Sequence, residues 1–560
     1  MKNVTGWMVI LLLVCACDKA QQPAPGDSAQ QADSTGPAVA EAAHPGEAAY
    51  LEHCAGCHDQ AMYKAPSRVF LAMMGPRNVL ASLQDGLMSQ QAAALDSGTR
   101  EAIAEYLTGQ SLDNYQEPAA PPSCDAAHQF DPGQPPVSTG WGTDLVLSRF
   151  QPAASAGLSR QDLGQMEVKW AFAYPNSIKA RSQPVFGGGA IYFGADDGKV
   201  RALDAKTGCL RWAFQAAAEV RNAPVISPWS AEEEAVSPSL YFGDILGRVY
   251  ALDARSGELL WKTKVDEHPD ATLTAAAALH DGRLYVPVSS LEVVSAANPA
   301  YECCTFRGAI VALDAADGTI LWKSWSIDQE PAEAGTTATG TRVLAPSGAP
   351  FWNTPVIDVR RNRLYLGSGE NYSSPADGNS DALIAYDLDS GEKLWVSQQT
   401  GQDAWNVACL MEDEAGRANC PHEDGPDYDF ASSPMLVSLA DGREVLIGGQ
   451  KSGSVVAVNP DTGETLWKVQ VGRGGIQGGV HFGMAAEGTR VYVPINDMTY
   501  PVDALRYDDT DTVRPGLYAI DASSGEMLWS TPAADLCQDL VDCDPGISQA
   551  VTAIPGAVIA

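Results

Sequence analysis

Ala202-Leu203-Asp204-Ala205-Lys206-Thr207-Gly208, with Trp212 four residues on, recurs as Leu252-Asp253-Ala254-Arg255-Ser256-Gly257 with Trp261 and as Leu313-Asp314-Ala315-Ala316-Asp317-Gly318 with Trp322. Looser copies end at Trp395, Trp467 and Trp529. Each unit couples a strand, an Asp-x-x-[TSD]-Gly turn and a second strand whose Trp docks on a neighbour. A repeat of this length means an all-β solenoid or propeller. Asp and Gly in these turns are structural, the one capping backbone N–H groups and the other supplying positive φ. The intervals widen between Trp261 and Trp467, so long insertions, where chemistry resides, fall in that part of the ring.

A second signature precedes the repeats. In Cys54-Ala55-Gly56-Cys57-His58, two thiols can each add to a vinyl group of one haem c, and the imidazole of His58 then reaches the iron. A zinc site would need two more ligands nearby. The helical spacing of Ile103, Tyr106 and Leu107 after Asp96-Ser97 completes a module that resembles a class I cytochrome c from Ala42 to Gly109. That resemblance implies a methionine as sixth iron ligand, and Met88 occupies the matching position; Met62 lies too near the attachment site, and Met73-Met74 sits in a helical segment.

Lys2 and the apolar run Trp7 to Val14 read as a signal peptide, too short to span a bilayer. Val14-Cys15-Ala16-Cys17 is similar to a lipobox, which would make Cys17 a lipid anchor in the periplasm. The chain then divides into a signal peptide (1–17), a flexible tether (18–42), a cytochrome domain (43–112), a linker and propeller entry (113–164) and the propeller (165–560). With 560 residues and 45% apolar positions it buries a large core. A net charge of −34 excludes nucleic acid as partner and suits a basic cytochrome as external electron acceptor. Eight of the twelve cysteines lie outside the lipobox and haem motifs, an even number that favours disulfides; Cys409 with Cys420 and Cys537 with Cys543 invite local bridges.

The Leu-Asp-Ala-x-[TS]-Gly-x-x-x-Trp unit resembles the tryptophan-docking motif of pyrroloquinoline quinone (PQQ) alcohol dehydrogenases, which are eight-bladed β-propellers. Tyr301-Glu302-Cys303-Cys304-Thr305-Phe306-Arg307-Gly308, Gly401-Gln402-Asp403-Ala404-Trp405-Asn406 and the haem module make the chain similar to the polyvinyl alcohol dehydrogenase branch over residues 45–560. The resemblance implies a vicinal disulfide, Cys303-Cys304, over one face of PQQ, Arg307 on its anionic groups, Trp352 beneath the other face, and Thr274 and Ser289 as hydrogen-bonding partners. It implies a calcium ion held by Glu292, Asn371 and Asp429. Asp429, in Asp427-Tyr428-Asp429-Phe430-Ala431, matches the catalytic base, with Asp403 as the alternative; Lys451 matches the cationic quinone ligand, and His481 stands where relatives carry Asn.

On this reading secondary alcohol groups, those of polyvinyl alcohol first, are oxidised, with electrons leaving through the haem; small alcohols, polyols or sugars are the alternative substrates. Cofactor-free propeller scaffolds in outer-membrane protein assembly share the tryptophan repeats but lack a haem module. The six motif copies and the strand at Trp170 fall short of eight blades, and Ala553 to Ala560 reads as a strand beginning, which predicts a C-terminally incomplete ring.

Overall fold

The computed structural model describes residues 44–59, 68–116, 121–125, 128–174, 179–233, 236–497, 515–534 and 545–560. The Lys2–Cys17 leader, the tether, Met62 and the Cys537/Cys543 pair lie outside them. No described helix is long and apolar enough to cross a membrane.

The described residues form five four-stranded antiparallel sheets, one five-stranded sheet and two two-stranded hairpins. The larger sheets follow the chain in order: 185–215, 225–264, 271–325, 356–398, 435–470 and 485–532. In each, the early strands are mostly buried and the last is mostly exposed or half-buried, alternating in Leu259–Lys264 and Thr465–Gln470, so the first strand lies innermost.

The repeat tryptophans join consecutive sheets. Trp212 Nε1 donates to Ala254 O at 3.0 Å, Trp261 to Ala315 O at 3.1 Å, Trp395 to Pro460 O at 3.2 Å and Trp467 to Ala522 O at 3.0 Å. Each indole lies on the glycine of the next turn. A Cβ on Gly257, where φ is +74°, would come within 2.6 Å of Trp212, so only glycine fits the docking site. Asp204 caps its own turn, accepting from Lys206 N and Thr207 N. Trp170 joins the series by donating to Ala205 O, so its segment stands before the first sheet as each outer strand stands before the next.

The inner strands are tied together by residues 139–151, which run past one after another. Ile226 N donates to Thr139 O, Ile357 N to Leu145 O, Leu436 N to Val146 O, Ala486 N to Ser148 O and Ala553 N to Arg149 O. Arg149 is buried, donates to Val551 O and Gln183 Oε1, and lies 4.7 Å from the Trp141 ring centroid. The segment between the N-terminal helices and the sheets thus fastens the second, fourth, fifth and sixth sheets and the C-terminal hairpin at the hub. Six sheets and the hairpin Thr552–Ile554/Ala557–Ile559 are what the described residues contain of the expected eight blades.

Ahead of the sheets, helices Pro45–His53, Arg68–Met73, Pro76–Gln84 and Ser97–Thr108 gather around Tyr50, Leu71, Val79, Leu83, Ile103, Ala104 and Leu107. Asp96 caps the last helix, accepting from Thr99 N, and Gly109 ends it in the left-handed conformation.

Candidate functional site

At the end of strand Arg363–Gly367 the chain turns inward through 368–372 and meets the loop carrying Asp427 and Asp429. Asp429 accepts from Glu370 N on Oδ1 and from Trp352 Nε1 and Lys451 Nζ on Oδ2, each at 3.0 Å. Lys451 Nζ also lies 2.6 Å from Asp427 Oδ1 and 5.6 Å from the Trp352 ring centroid. Glu370, Asp427, Asp429 and Lys451 are all 4% exposed or less. Buried charges of this number persist only if paired or bound to a cation.

One carboxylate oxygen from each of Glu370, Asp427 and Asp429 lies within 4.8 Å of the others, a hard donor set of the kind that binds calcium. Burial, followed by the neighbouring Asp429 and Asp427 charges, raises the Glu370 carboxyl well above the usual range, with Lys451 opposing. A cation placed there would relieve that repulsion.

Asp403 lies behind this cluster. Its two oxygens accept from Asp427 N at 3.1 Å and Tyr428 N at 2.7 Å, and so fix the backbone on which Asp427, at φ +57°, and Asp429 stand. Burial pushes Asp403 up to about 6, against the pull of those backbone donors.

Close by lies the Cys303–Cys304 disulfide, both residues buried. Glu292 organises it. Oε1 accepts from Thr305 N at 2.8 Å and Tyr301 Oη at 2.9 Å, while Oε2 accepts from Phe306 N at 2.8 Å. The inserted hairpin Ala332–Thr336/Arg342–Ala345 braces the pair, Cys304 N donating to Leu344 O and Leu344 N to Cys303 O. Asn406 Nδ2 donates to Tyr372 O and Asn419 O, and the Cys409–Cys420 disulfide closes the loop that carries Asn419. A further disulfide joins Cys124 to Cys209. Residues 370–372 connect the carboxylate cluster to the disulfide, since Glu370 N meets Asp429 and Tyr372 O lies 3.9 Å from Cys304 Sγ.

The structure thus brings Trp352, Asp429 and Lys451 together, with His481 5.8 Å from Trp352 between ring centroids. Glu292 serves the disulfide loop instead of joining the carboxylate cluster, and the Asn371 amide is tied to Ser347 O and Asp377. Arg307 donates to Ile327 O and Asp328 O and lies over Trp325. Thr274 Oγ1 and Thr272 Oγ1 are buried with no hydrogen-bond partner among the described residues, and Ser289 stands opposite Thr272 in the strand register. Buried hydroxyls left without a partner are what a polar ligand would satisfy. Sequence reasoning missed Glu370 and Asp427, which stand one residue before Asn371 and two before Asp429.

In the haem motif, Cys54 is half-buried and Cys57 exposed, and neither forms a disulfide. Cys54 and Met88 pack against the same apolar cluster.

Residues 139–409 match the glucose/ethanol/alcohol dehydrogenase β-propeller domain family, labelled PQQ, and residues 451–548 match outer membrane protein assembly factor BamB. A polyvinylalcohol dehydrogenase from Pseudomonas sp. is 35% identical over 533 residues, 92% of this chain and 80% of that one. Another from Sphingopyxis sp. is 35% identical over 556 residues, 96% of this chain and 83% of the relative. Among solved structures, the quinohemoprotein alcohol dehydrogenase from Comamonas testosteroni matches with a TM-score of 0.50 at 17% identity, covering 75% of each chain, a likeness of fold.

Proposed function

The chain belongs to the polyvinyl alcohol dehydrogenases, a branch of the PQQ-dependent alcohol dehydrogenases, and on that premise we propose that it oxidises secondary hydroxyls of a polyvinyl alcohol-type polymer and passes the electrons through its own haem c to an external cytochrome. The observation that carries this reading is Lys451 Nζ held between Asp427 and Asp429 against the Trp352 indole. The orphaned Thr274 hydroxyl and the three-carboxylate cluster fit PQQ and a calcium ion. Thr274, Ser289, Trp352 and the Cys303–Cys304 wall would hold the quinone, and Glu370, Asp427 and Asp429 the cation. Bound there, these groups would supply a two-electron acceptor and a Lewis acid, and a haem, which Cys54 and Cys57 would attach and His58 and Met88 would ligate, would supply a one-electron relay.

The chain's own residues do the rest. Asp429 takes the hydroxyl proton on its carboxylate. Lys451 holds that carboxylate through its Nζ–Oδ2 hydrogen bond and supplies a hydrogen-bond donor to the acceptor. Asp403 holds the loop bearing Asp429 in place through Asp427 N and Tyr428 N. The low exposure of the cluster strengthens each of these interactions by excluding water.

A periplasmic location with Cys17 as lipid anchor follows from the Lys2–Cys17 leader, and a basic cytochrome as acceptor from the net charge of −34. Comparing single-turnover rates on polyvinyl alcohol and on a small secondary alcohol tests the substrate. A faster rate on the monomer would favour small alcohols instead.

A further inference from the structure

Asp381 lies in the fourth sheet, just before strand Ala382–Asp387, outside the cluster described above. It is 0% exposed, and neither Oδ1 nor Oδ2 has a hydrogen-bond partner among the described residues. A buried carboxyl with two unsatisfied oxygens is costly unless it has a task or a ligand. Gln450 Nε2, on the residue next to Lys451, is also buried without a partner.

The position of Asp381 suggests the task. On its inner side, Asp381 N donates to Gly369 O at 3.1 Å, and a Cβ on Gly369 would come within 2.9 Å of Asp429 Oδ1. One glycine's thickness therefore separates Asp381 from the proposed base. On its outer side, Gln399 N donates to Asp381 O, and Gln399 O accepts from the exposed Lys468 Nζ at 2.8 Å. Thr400 reaches Gln450 Oε1 from the same side.

Resting on the alcohol-oxidation reading, we propose that Asp381 is the proton-exit group of the hub, receiving protons from the Asp429 side through water and releasing them to solvent past Gln399 and Lys468. Converting a secondary alcohol to a ketone releases two protons and two electrons. The electrons leave through the cofactors, and each proton leaves for solvent from the protonated Asp381 carboxyl, which is then re-protonated from the Asp429 side, so the residue ends each cycle unchanged. The charged groups acting on it are Asp403, Asp429, Asp427 and Lys451 from the hub and Lys468 from the rim. Burial and the neighbouring Asp403 favour its protonated form.

Asp381→Asn keeps the shape and tolerates the left-handed backbone, φ +50°, at this position. The fold and bound calcium of the variant should match wild type. In the metal-free, quinone-free protein, one protonated-carboxyl infrared band should disappear. In the loaded protein, the oxidation rate should fall roughly a hundredfold, with partial rescue by imidazole as a small proton carrier. Asp381→Glu, which retains the acid, should recover much of the rate, and provides the comparison if the Asn variant folds poorly. A wild-type rate in Asp381→Asn, an unchanged infrared spectrum, or loss of one calcium equivalent would overturn the assignment, the last by marking a cation site. The infrared arm needs no alcohol chemistry. A wild-type protein inert toward alcohols would refute the enzymatic reading instead.

Discussion

Lys451 Nζ stands 2.6 Å from Asp427 Oδ1, with neither side chain more than 4% exposed, in a hub whose other nearby charges are carboxylates. Removing the cation alone leaves buried acids uncompensated. Lys451→Met is therefore predicted to destabilise the cation-free protein by about 3–5 kcal/mol, measured by chemical denaturation. Unchanged stability would mean that the acids are already protonated.

Glu370→Gln should weaken calcium binding at least tenfold while leaving the fold intact, because it removes one charge from the three-carboxylate set. Calcium titration by calorimetry reads this directly. Asn371→Ala, which frees the loop at Asp377, should lower stability more than calcium affinity.

Glu292→Gln keeps one good acceptor but turns an amide toward backbone N–H groups. It should cost about 1–3 kcal/mol and loosen the Cys303–Cys304 loop, seen as faster hydrogen exchange at Thr305 and Phe306. If calcium affinity were the main loss, Glu292 would be a ligand after all.

Asp403 gives a pH signature. Its folded value of about 6 lies above the unfolded value near ~3.9, so the folded protein holds the extra proton between them. The associated stability, up to about 3 kcal/mol, is fully present below pH ~4 and is lost as pH rises through about 6. Denaturant midpoints of the cation-free protein across that range should fall accordingly, and Asp403→Asn should flatten the slope.

Thr274→Val should leave the cofactor-free protein as stable as wild type or slightly more so, because the hydroxyl has no partner to lose. PQQ affinity, followed by quenching of tryptophan fluorescence, should drop by about tenfold.

The sheet architecture was legible because docking is written into the repeat: Trp212, Trp261, Trp322, Trp395 and Trp467 all reach the next Asp-Gly turn. The Cys409–Cys420 bridge was legible from spacing alone. The inner end of the site was not. Neighbouring residues in extended chain point to opposite sides, so a one-residue offset decides whether Glu370 or Asn371 faces the acids. Asp427 and Asp429 share one side for the same reason, and no spacing rule separates their roles. The 139–151 segment has neither repeat nor periodicity, and apart from Arg149 its part at the hub is made of backbone hydrogen bonds that no side chain announces.

The most direct test of the central claim is one absorbance trace. Purified protein loaded with PQQ and calcium is mixed with polyvinyl alcohol while the α band of the proposed c-type haem is followed. The band of the ferrous haem should appear with wild type and should fail to develop without PQQ or in Asp429→Asn. Haem reduction at the wild-type rate in Asp429→Asn, or without the quinone, would contradict the account.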